Sequence, residues 1–303
     1  MPDQRSRTVL WILIGGGAFF LFVLAVFSLV YLTLHAGGNQ AAFGGFGDRI
    51  GVVDLDGVIL SPQPVVGQLK KLADDSSIKA IILHVNSPGG GVAASEEIYR
   101  EVKRIREEKK KRIVVSIETV GASGAYYIAS ASNKIYADQG SIVGSIGVIA
   151  EWVNYGDLLK WAKLKSIVFK TGEFKDTGNP ARELTPAEQA YLQGLIDNMF
   201  GQFVQAVADG RGMKFDDVKA IANGKVWTGK EALSMKLIDN VGDFEAVVND
   251  TAQSVGISGE PTLVHPEKDR RTLLDLLQGD VSQYLPDTEK MLEQHVGFYY
   301  LWK

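Results

Sequence analysis

Ser123 lies in Gly121-Ala122-Ser123-Gly124-Ala125-Tyr126-Tyr127, after a β-branched run (Ile113, Val114, Val115, Ile117) and before the helix-compatible Ile128-Ala129-Ser130-Ala131. Where a strand gives way to a helix, a hydroxyl stands exposed beside unpaired helix N–H groups, the arrangement a serine nucleophile needs. The same residues also suit a serine N-cap in a tight turn. Attack on a carbonyl requires donors for the developing oxyanion and a base for the hydroxyl proton. Ser87-Pro88-Gly89-Gly90-Gly91 supplies the first, because a glycine-rich turn between a strand and a helix can aim its N–H groups into a cavity. One such donor is worth roughly 3–4 kcal/mol of transition-state stabilisation. A phosphate cradle uses the same geometry, but no lysine-serine pair follows this loop.

Two kinds of base are open. His265, in Leu263-Val264-His265-Pro266, would complete a Ser…Asp…His order, although its neighbours give it no support. A lysine would need its amine depressed about 3 pH units from its usual ~10.4, roughly 4 kcal/mol against the charged form, which apolar burial can supply. Lys163, Lys165, Lys170 and Lys175 all lie near an expected strand at residues 166–170, and spacing alone does not choose among them. Gly224-Lys225-Val226-Trp227-Thr228-Gly229-Lys230-Glu231 fits a P-loop pattern, but Glu231 stands where a magnesium-binding hydroxyl belongs and no apolar strand leads in.

The elements that must position these groups alternate. Strands are expected at residues 49–60, 79–85, 113–117, 134–137 and 166–170, with a further extended stretch at 141–150. Helices are expected at 65–73, 92–111 and after Ser123. Such repeated units argue an α/β architecture with largely parallel pairing. The charged run 107–112 reads as the solvated end of its helix. Beyond residue 186 the chain turns helical, beginning with Thr185 as N-cap, Pro186 at N1 and Glu188 at N3. Shorter helices are expected at 215–222, 229–235 and 244–255, then an amphipathic stretch at 272–285 and an aromatic tail, Phe298-Tyr299-Tyr300-Leu301-Trp302-Lys303.

Composition narrows the classes. The 303 residues carry 32 basic and 36 acidic side chains, a net charge of −4 that offers no footprint for nucleic acid. The chain has no cysteine, which excludes thiolate catalysis and thiolate metal sites, and its four histidines are scattered without zinc-ligand spacing. Residues 9–34, 26 positions without a charge, exceed the roughly 20 needed to span a bilayer and the apolar core of a cleaved signal peptide. Arg5 and Arg7 before this segment, and no basic residue at 35–47, orient the N-terminus to the cytoplasm and the body outside it. The expected organisation is a cytoplasmic terminus (1–8), an anchor (9–34), a flexible tether (35–48), a folded body (49–256) and a C-terminal extension (257–303).

Taken in order, Asn86-Ser87-Pro88-Gly89-Gly90-Gly91, Gly121 through Tyr127, Gly144-Ser145-Ile146-Gly147-Val148-Ile149, Thr171-Gly172-Glu173-Phe174-Lys175, Asp209-Gly210-Arg211-Gly212-Met213 and residues 224–232 resemble the signal peptide peptidases of the SppA type, the protease IV-like serine proteases of peptidase family S49. The ordered set is far more specific than any single motif, and Ala125, where relatives often have glycine, is the departure. The resemblance implies a ClpP/crotonase-like α/β fold with repeated β-β-α units, and a Ser/Lys dyad needing no cofactor or metal. Carried onto this chain, Ser123 is the nucleophile and Lys175, 52 residues later, the general base. Ser145 would orient the lysine amine, and the Gly90 and Gly124 N–H groups would form the oxyanion hole. The implied substrates are released signal peptides and other short or unfolded chains at the outer membrane face. The implied assembly is a homo-oligomeric ring or dome, such as an octamer. The aromatic tail looks like a peptide such a site could bind. The rival readings are a crotonase-like acyl-CoA enzyme, for which no CoA pool is expected outside the cytoplasm, and a non-catalytic membrane scaffold of the same fold.

Overall fold

The computed structural model describes residues 48–266 and 298–302. The strands are β1 (Arg49–Asp56), β2 (Ile78–Ser87), β3 (Gly89–Gly91), β4 (Arg112–Ala122), β5 (Lys134–Ala137), β6 (Ile142–Gly144), β7 (Ile149–Ala150), β8 (Val226–Thr228), β9 (Asn240–Val241), β10 (Thr262–Val264) and β11 (Phe298–Leu301). The helices are α1 (Gln63–Asp74), α2 (Val92–Glu107), α3 (Gly124–Ser130), α4 (Gly156–Trp161), α5 (Pro186–Arg211), α6 (Phe215–Ile221), α7 (Gly229–Ser234) and α8 (Phe244–Ser254).

The main sheet runs β10-β1-β2-β4-β5-β9, all parallel along this path, with β6 added to β4 and β8 to β6. The apolar runs of its central strands are explained by cover on both faces. Along β2, Ile81, Leu83 and Val85 join the core under α1, α2, α3 and α5, while Ile82 faces the smaller cluster with Val247, Val248 and Ala252 of α8. Alternate residues of a strand point to opposite faces, so a two-sided burial demands an unbroken hydrophobic sequence. Helix α2 buries Ala94, Ile98, Val102 and Ile105, a stripe at helical spacing, against the same core.

Most sequence-expected elements appear within a few residues of their bounds. Helix α5 begins with the capping box read from Thr185, Pro186 and Glu188. The P-loop-like segment also resolves structurally: Thr228 caps α7 and Glu231 closes a second capping box, so the glutamate that disqualified nucleotide binding is a helix-start residue. The strand expected at 166–170 is absent; those residues are irregular and exposed, with Ile167 77% and Phe169 95% accessible. An apolar run becomes a strand only where another strand accepts its hydrogen bonds. Here none does. Residues beyond 256 return to the body, β10 against β1 and β11 between β3 and β7. Among the described residues no helix is long and apolar enough to cross a membrane; the expected anchor at 9–34 and the amphipathic stretch at 272–285 lie outside the described residues.

Candidate active site

Strands β2 and β4 are parallel neighbours, with Ser87 opposite Gly121, so their C-terminal exits open at one edge of the sheet. Ligands of open α/β sheets bind at such an edge. Ser123 follows β4 directly and starts α3 with φ 54° and ψ −119°, while its side chain makes no capping hydrogen bond. A β-substituted residue held at positive φ stores roughly 1–3 kcal/mol of strain. The surroundings enforce it: the Ser123 N–H donates to the Gly144 carbonyl at 2.7 Å and its own carbonyl accepts from Tyr127 N–H at 2.8 Å. The cap alternative is thereby answered. The backbone of Ser123 is committed on both sides, and among the described residues its hydroxyl does not cap the helix.

Parallel pairing of β6 with β4, Gly144 opposite Ala122, places Ser145 next to this turn. Ser145 also has positive φ (52°) and is buried, and its N–H donates to the Lys225 carbonyl at 2.8 Å. Ser123 and Ser145 thus stand at adjacent strand ends, both strained and both nearly inaccessible.

The donor loop is built around glycine. Gly89 has φ +99°, and the Ser87 hydroxyl accepts from its N–H at 3.1 Å while donating to the Gly57 carbonyl at 2.6 Å. Ile59 N–H donates to the Gly89 carbonyl and Gly91 N–H to the Ile59 carbonyl. Successive N–H groups of a strand point to opposite edges. The Gly90 N–H therefore faces away from Ile59, toward β11. A side chain on Gly90 would overlap the Ile59 main chain. One on Gly124 would overlap the Ser95 hydroxyl and lie 3.2 Å from Gly90 N and 3.1 Å from the Tyr300 carbonyl oxygen. Gly90 and Gly124 are glycines because the backbone closes on itself here, the condition for main-chain donors to converge. Ser95, in the first turn of α2, carries no signal in the sequence; its hydroxyl is fully buried beside Gly124 and has no hydrogen-bond partner among the described residues.

Strand β11 runs antiparallel through this edge, Tyr300 opposite Gly90 on one side and Tyr299 opposite Ile149 on the other. Trp302 N–H donates to the Pro88 carbonyl at 2.8 Å, extending the pairing. The Tyr300 ring lies 5.3 Å from Tyr127, stacked, and 4.7 Å from Phe203, and its hydroxyl donates to the Met199 carbonyl at 2.9 Å. Burial holds the Tyr127 and Tyr300 phenols above their ordinary titration range, so both remain neutral.

Of the sequence-predicted residues, the fold gathers Ser123, Ser145, Gly90 and Gly124. Lys175 is exposed in the turn after residue 170, and among the described residues its side chain hydrogen-bonds neither serine. His265 is also exposed, at the end of the edge strand β10. Val264 is in register with Gly51, hence with Ile81 and Ile113, which lies ten residues before Ser123. At about 3.3 Å per residue His265 is roughly 30 Å from the nucleophile along the sheet. It is not the base.

The turn that presents Lys175 is bracketed by charge. Arg182 donates to Asp176 through Nε at 3.1 Å and to both Glu188 oxygens at 2.8 and 2.5 Å, while Lys170 donates to Asp176 at 2.6 Å. These contacts hold both carboxyls below their usual range: Asp176 through Arg182, then Lys170, and Glu188 through Arg182, then the Thr185 N–H. Glu188 is legible in sequence as a capping residue, but its second role in the bracket is not, because the Arg182 bond depends on the tertiary path of the loop. A carboxyl with a depressed folded-state value contributes stability that is present above its unfolded value and lost as pH falls through the folded one. Proteolytic cutting within residues 171–182 is therefore expected to rise as pH drops from about 5 toward 2, before the sheet core unfolds. Glu188→Gln is expected to give high cutting at every pH.

Comparison with known proteins agrees with this geometry. Residues 105–258 match Peptidase family S49, and residues 61–137 match the Clp protease family, consistent with the mixed α/β body. A protein of Synechocystis sp. provisionally named a protease is 36% identical over 236 residues, covering 78% of this chain and 84% of that protein. An Enterococcus faecium protein provisionally named signal peptide peptidase SppA is 36% identical over 183 residues, 60% of this chain and 53% of its own length. The chloroplastic serine protease SPPA of Arabidopsis thaliana is 30% identical over 255 residues, 82% of this chain and 37% of that longer protein. With a strained serine at a strand–helix turn and main-chain donors beside it, the chain belongs to peptidase family S49 and is a serine peptidase of the signal peptide peptidase group.

Proposed function

We propose that this peptidase is an endopeptidase using a Ser123/Lys175 dyad on short or unfolded peptides, released signal peptides among them, at the outer face of the membrane. Ser123 Oγ attacks the scissile carbonyl, Lys175 takes its proton and later gives it to the leaving amine, and Ser145 orients the amine. The Gly90 and Gly124 N–H groups receive the oxyanion. The observation that carries this reading is β11: an extended segment lying antiparallel against the donor strand β3, past Gly124, which is how a peptide substrate would lie. Main-chain pairing of this kind admits any unfolded chain and excludes folded ones.

The exposed lysine supports a homo-oligomer. Lys175 follows a segment in which Val153, Trp161, Leu164, Ile167 and Phe169 are each at least 60% accessible. A second copy covering this apolar stretch would desolvate the turn and carry its lysine into a neighbour's Ser123 site, where a discharged amine can serve as base. The anchor read from residues 9–34 would hold such an assembly at the membrane.

A fluorophosphonate probe tests the assignment on the full chain in detergent. Labelling at Ser123, lost in Ser123→Ala and strongly slowed in Lys175→Ala, is the expected result. Labelling that persists in Ser123→Ala, or peptide hydrolysis unchanged in Lys175→Ala, overturns it.

A further inference from the structure

Ser95 lies in the first turn of α2 at 0% accessibility, beside the start of α3. A serine in a first helical turn ordinarily spends its hydroxyl on a nearby backbone group, as a cap or by donating to the carbonyl four residues back. Ser95 does neither. Helix α2 starts after Gly91 without a side-chain cap, and Ser95 Oγ has no hydrogen-bond partner among the described residues. Burial without a partner is a standing cost that alanine at the same place would not carry. The hydroxyl faces one small gap. A side chain on Gly124 would overlap it, and the same spot is 3.2 Å from Gly90 N. Gly90 and Gly124 are themselves buried. Three donors therefore border one space, kept open by the missing side chain of Gly124: two main-chain N–H groups and the Ser95 O–H.

From this convergence we infer that Ser95 is a catalytic residue: its O–H is a third donor to the oxyanion, unpaired at rest and paired only while the tetrahedral intermediate exists. This rests on Ser123 being the nucleophile. As Ser123 Oγ bonds to the scissile carbon, Lys175 accepts the hydroxyl proton and the carbonyl π pair moves onto oxygen. That oxygen accepts from Gly90 N–H, Gly124 N–H and Ser95 O–H, and Ser95 keeps its own proton throughout. When the intermediate collapses, the pair returns to the carbon–oxygen bond and Lys175 gives its proton to the leaving amine. Only contacts stronger in the transition state than in the ground state raise kcat. A buried hydroxyl with no partner to give up meets that condition. An O–H also rotates toward the lone pair that appears as the carbon becomes tetrahedral, a freedom main-chain donors lack.

The test uses the full chain in detergent, one internally quenched peptide substrate, and a peptide aldehyde that forms a tetrahedral adduct with the nucleophile. Ser95→Ala is expected to lower kcat about tenfold to a hundredfold with KM unchanged, and to weaken the aldehyde by the same factor. Its Tm is expected to stay the same or rise, so the variant is slower without being less stable. Its activity also sets the ceiling for any further variant that lacks the hydroxyl. Ser95→Cys fills nearly the same space with a weak donor, and is expected to fall with alanine rather than with wild type. If the alanine variant fails to fold, the cysteine variant carries the comparison. Wild-type kcat and aldehyde affinity in Ser95→Ala, with Ser123 still labelled by fluorophosphonate, overturn the donor role and leave the peptidase reading standing. A raised KM at unchanged kcat, or a slow Ser95→Ala matched by a fully active Ser95→Cys, makes Ser95 a packing residue and also overturns it. Failure to label Ser123 in wild type removes the nucleophile on which the inference rests.

Discussion

Ser123→Ala and Lys175→Ala are each expected to lower kcat on a quenched peptide by about four to six orders of magnitude, as removal of a nucleophile or its base does elsewhere. The informative result comes from mixing them. Lys175 is exposed in a turn braced by Arg182, while Ser123 is buried at the sheet edge with no hydrogen bond between the two. If each site takes its serine from one copy and its lysine from the next, an equimolar mixed assembly contains both intact groups at about one interface in four. Co-expressed variants should therefore recover about a quarter of wild-type activity, with neither variant active alone. A mixture as inactive as its components, shown by native mass to be mixed, would mean the dyad forms within one chain after a loop movement. Recovery also has a structural correlate: dilution to monomers should abolish it, since the lysine leaves with its copy.

Gly124→Ala is expected to lower kcat/KM by about a hundredfold or more, the scale of losing one oxyanion donor. The added methyl group would overlap the Ser95 hydroxyl and crowd Gly90 N and the Tyr300 carbonyl, so it enters the space a reacting carbonyl would use. The double variant Ser95→Ala/Gly124→Ala separates crowding from lost chemistry. Removing the Ser95 hydroxyl takes away the nearest atom and also deletes a buried polar group that has no partner among the described residues. Single Ser95→Ala should therefore leave Tm unchanged or raise it. Partial recovery of kcat/KM in the double variant is expected. Full activity in Gly124→Ala would show that the Gly124 main chain does not line the reacting centre, and the donor role would pass to Gly90 alone.

The strands and helices of the body could be read from sequence because their determinants are local. Ile81, Ile82 and Leu83 in succession mean a strand covered on both faces, and Thr185-Pro186 with Glu188 marks a helix start whatever lies beyond it. Ser123 could be picked out for the same reason: a small-residue turn between strand and helix carries its own geometry. Residues 166–170 were misread because a strand is a relation between segments, and the sequence of one segment does not say whether a partner exists. The sequence also left His265 and four lysines as candidate bases until the order of motifs favoured Lys175. Separating His265 from Ser123 within one chain needed the sheet register, which sets it roughly 30 Å away.

Only the tertiary structure decided three matters at the site. It freed the Ser123 hydroxyl from capping by committing its backbone to Gly144 and Tyr127. It joined Asp176, Arg182 and Glu188 into the bracket that presents Lys175. It laid the aromatic tail across the donor strand, with one ring in a pocket built from two separate helices. Each depends on where distant segments meet, and that is fixed by packing of the whole core rather than by any residue's own preference.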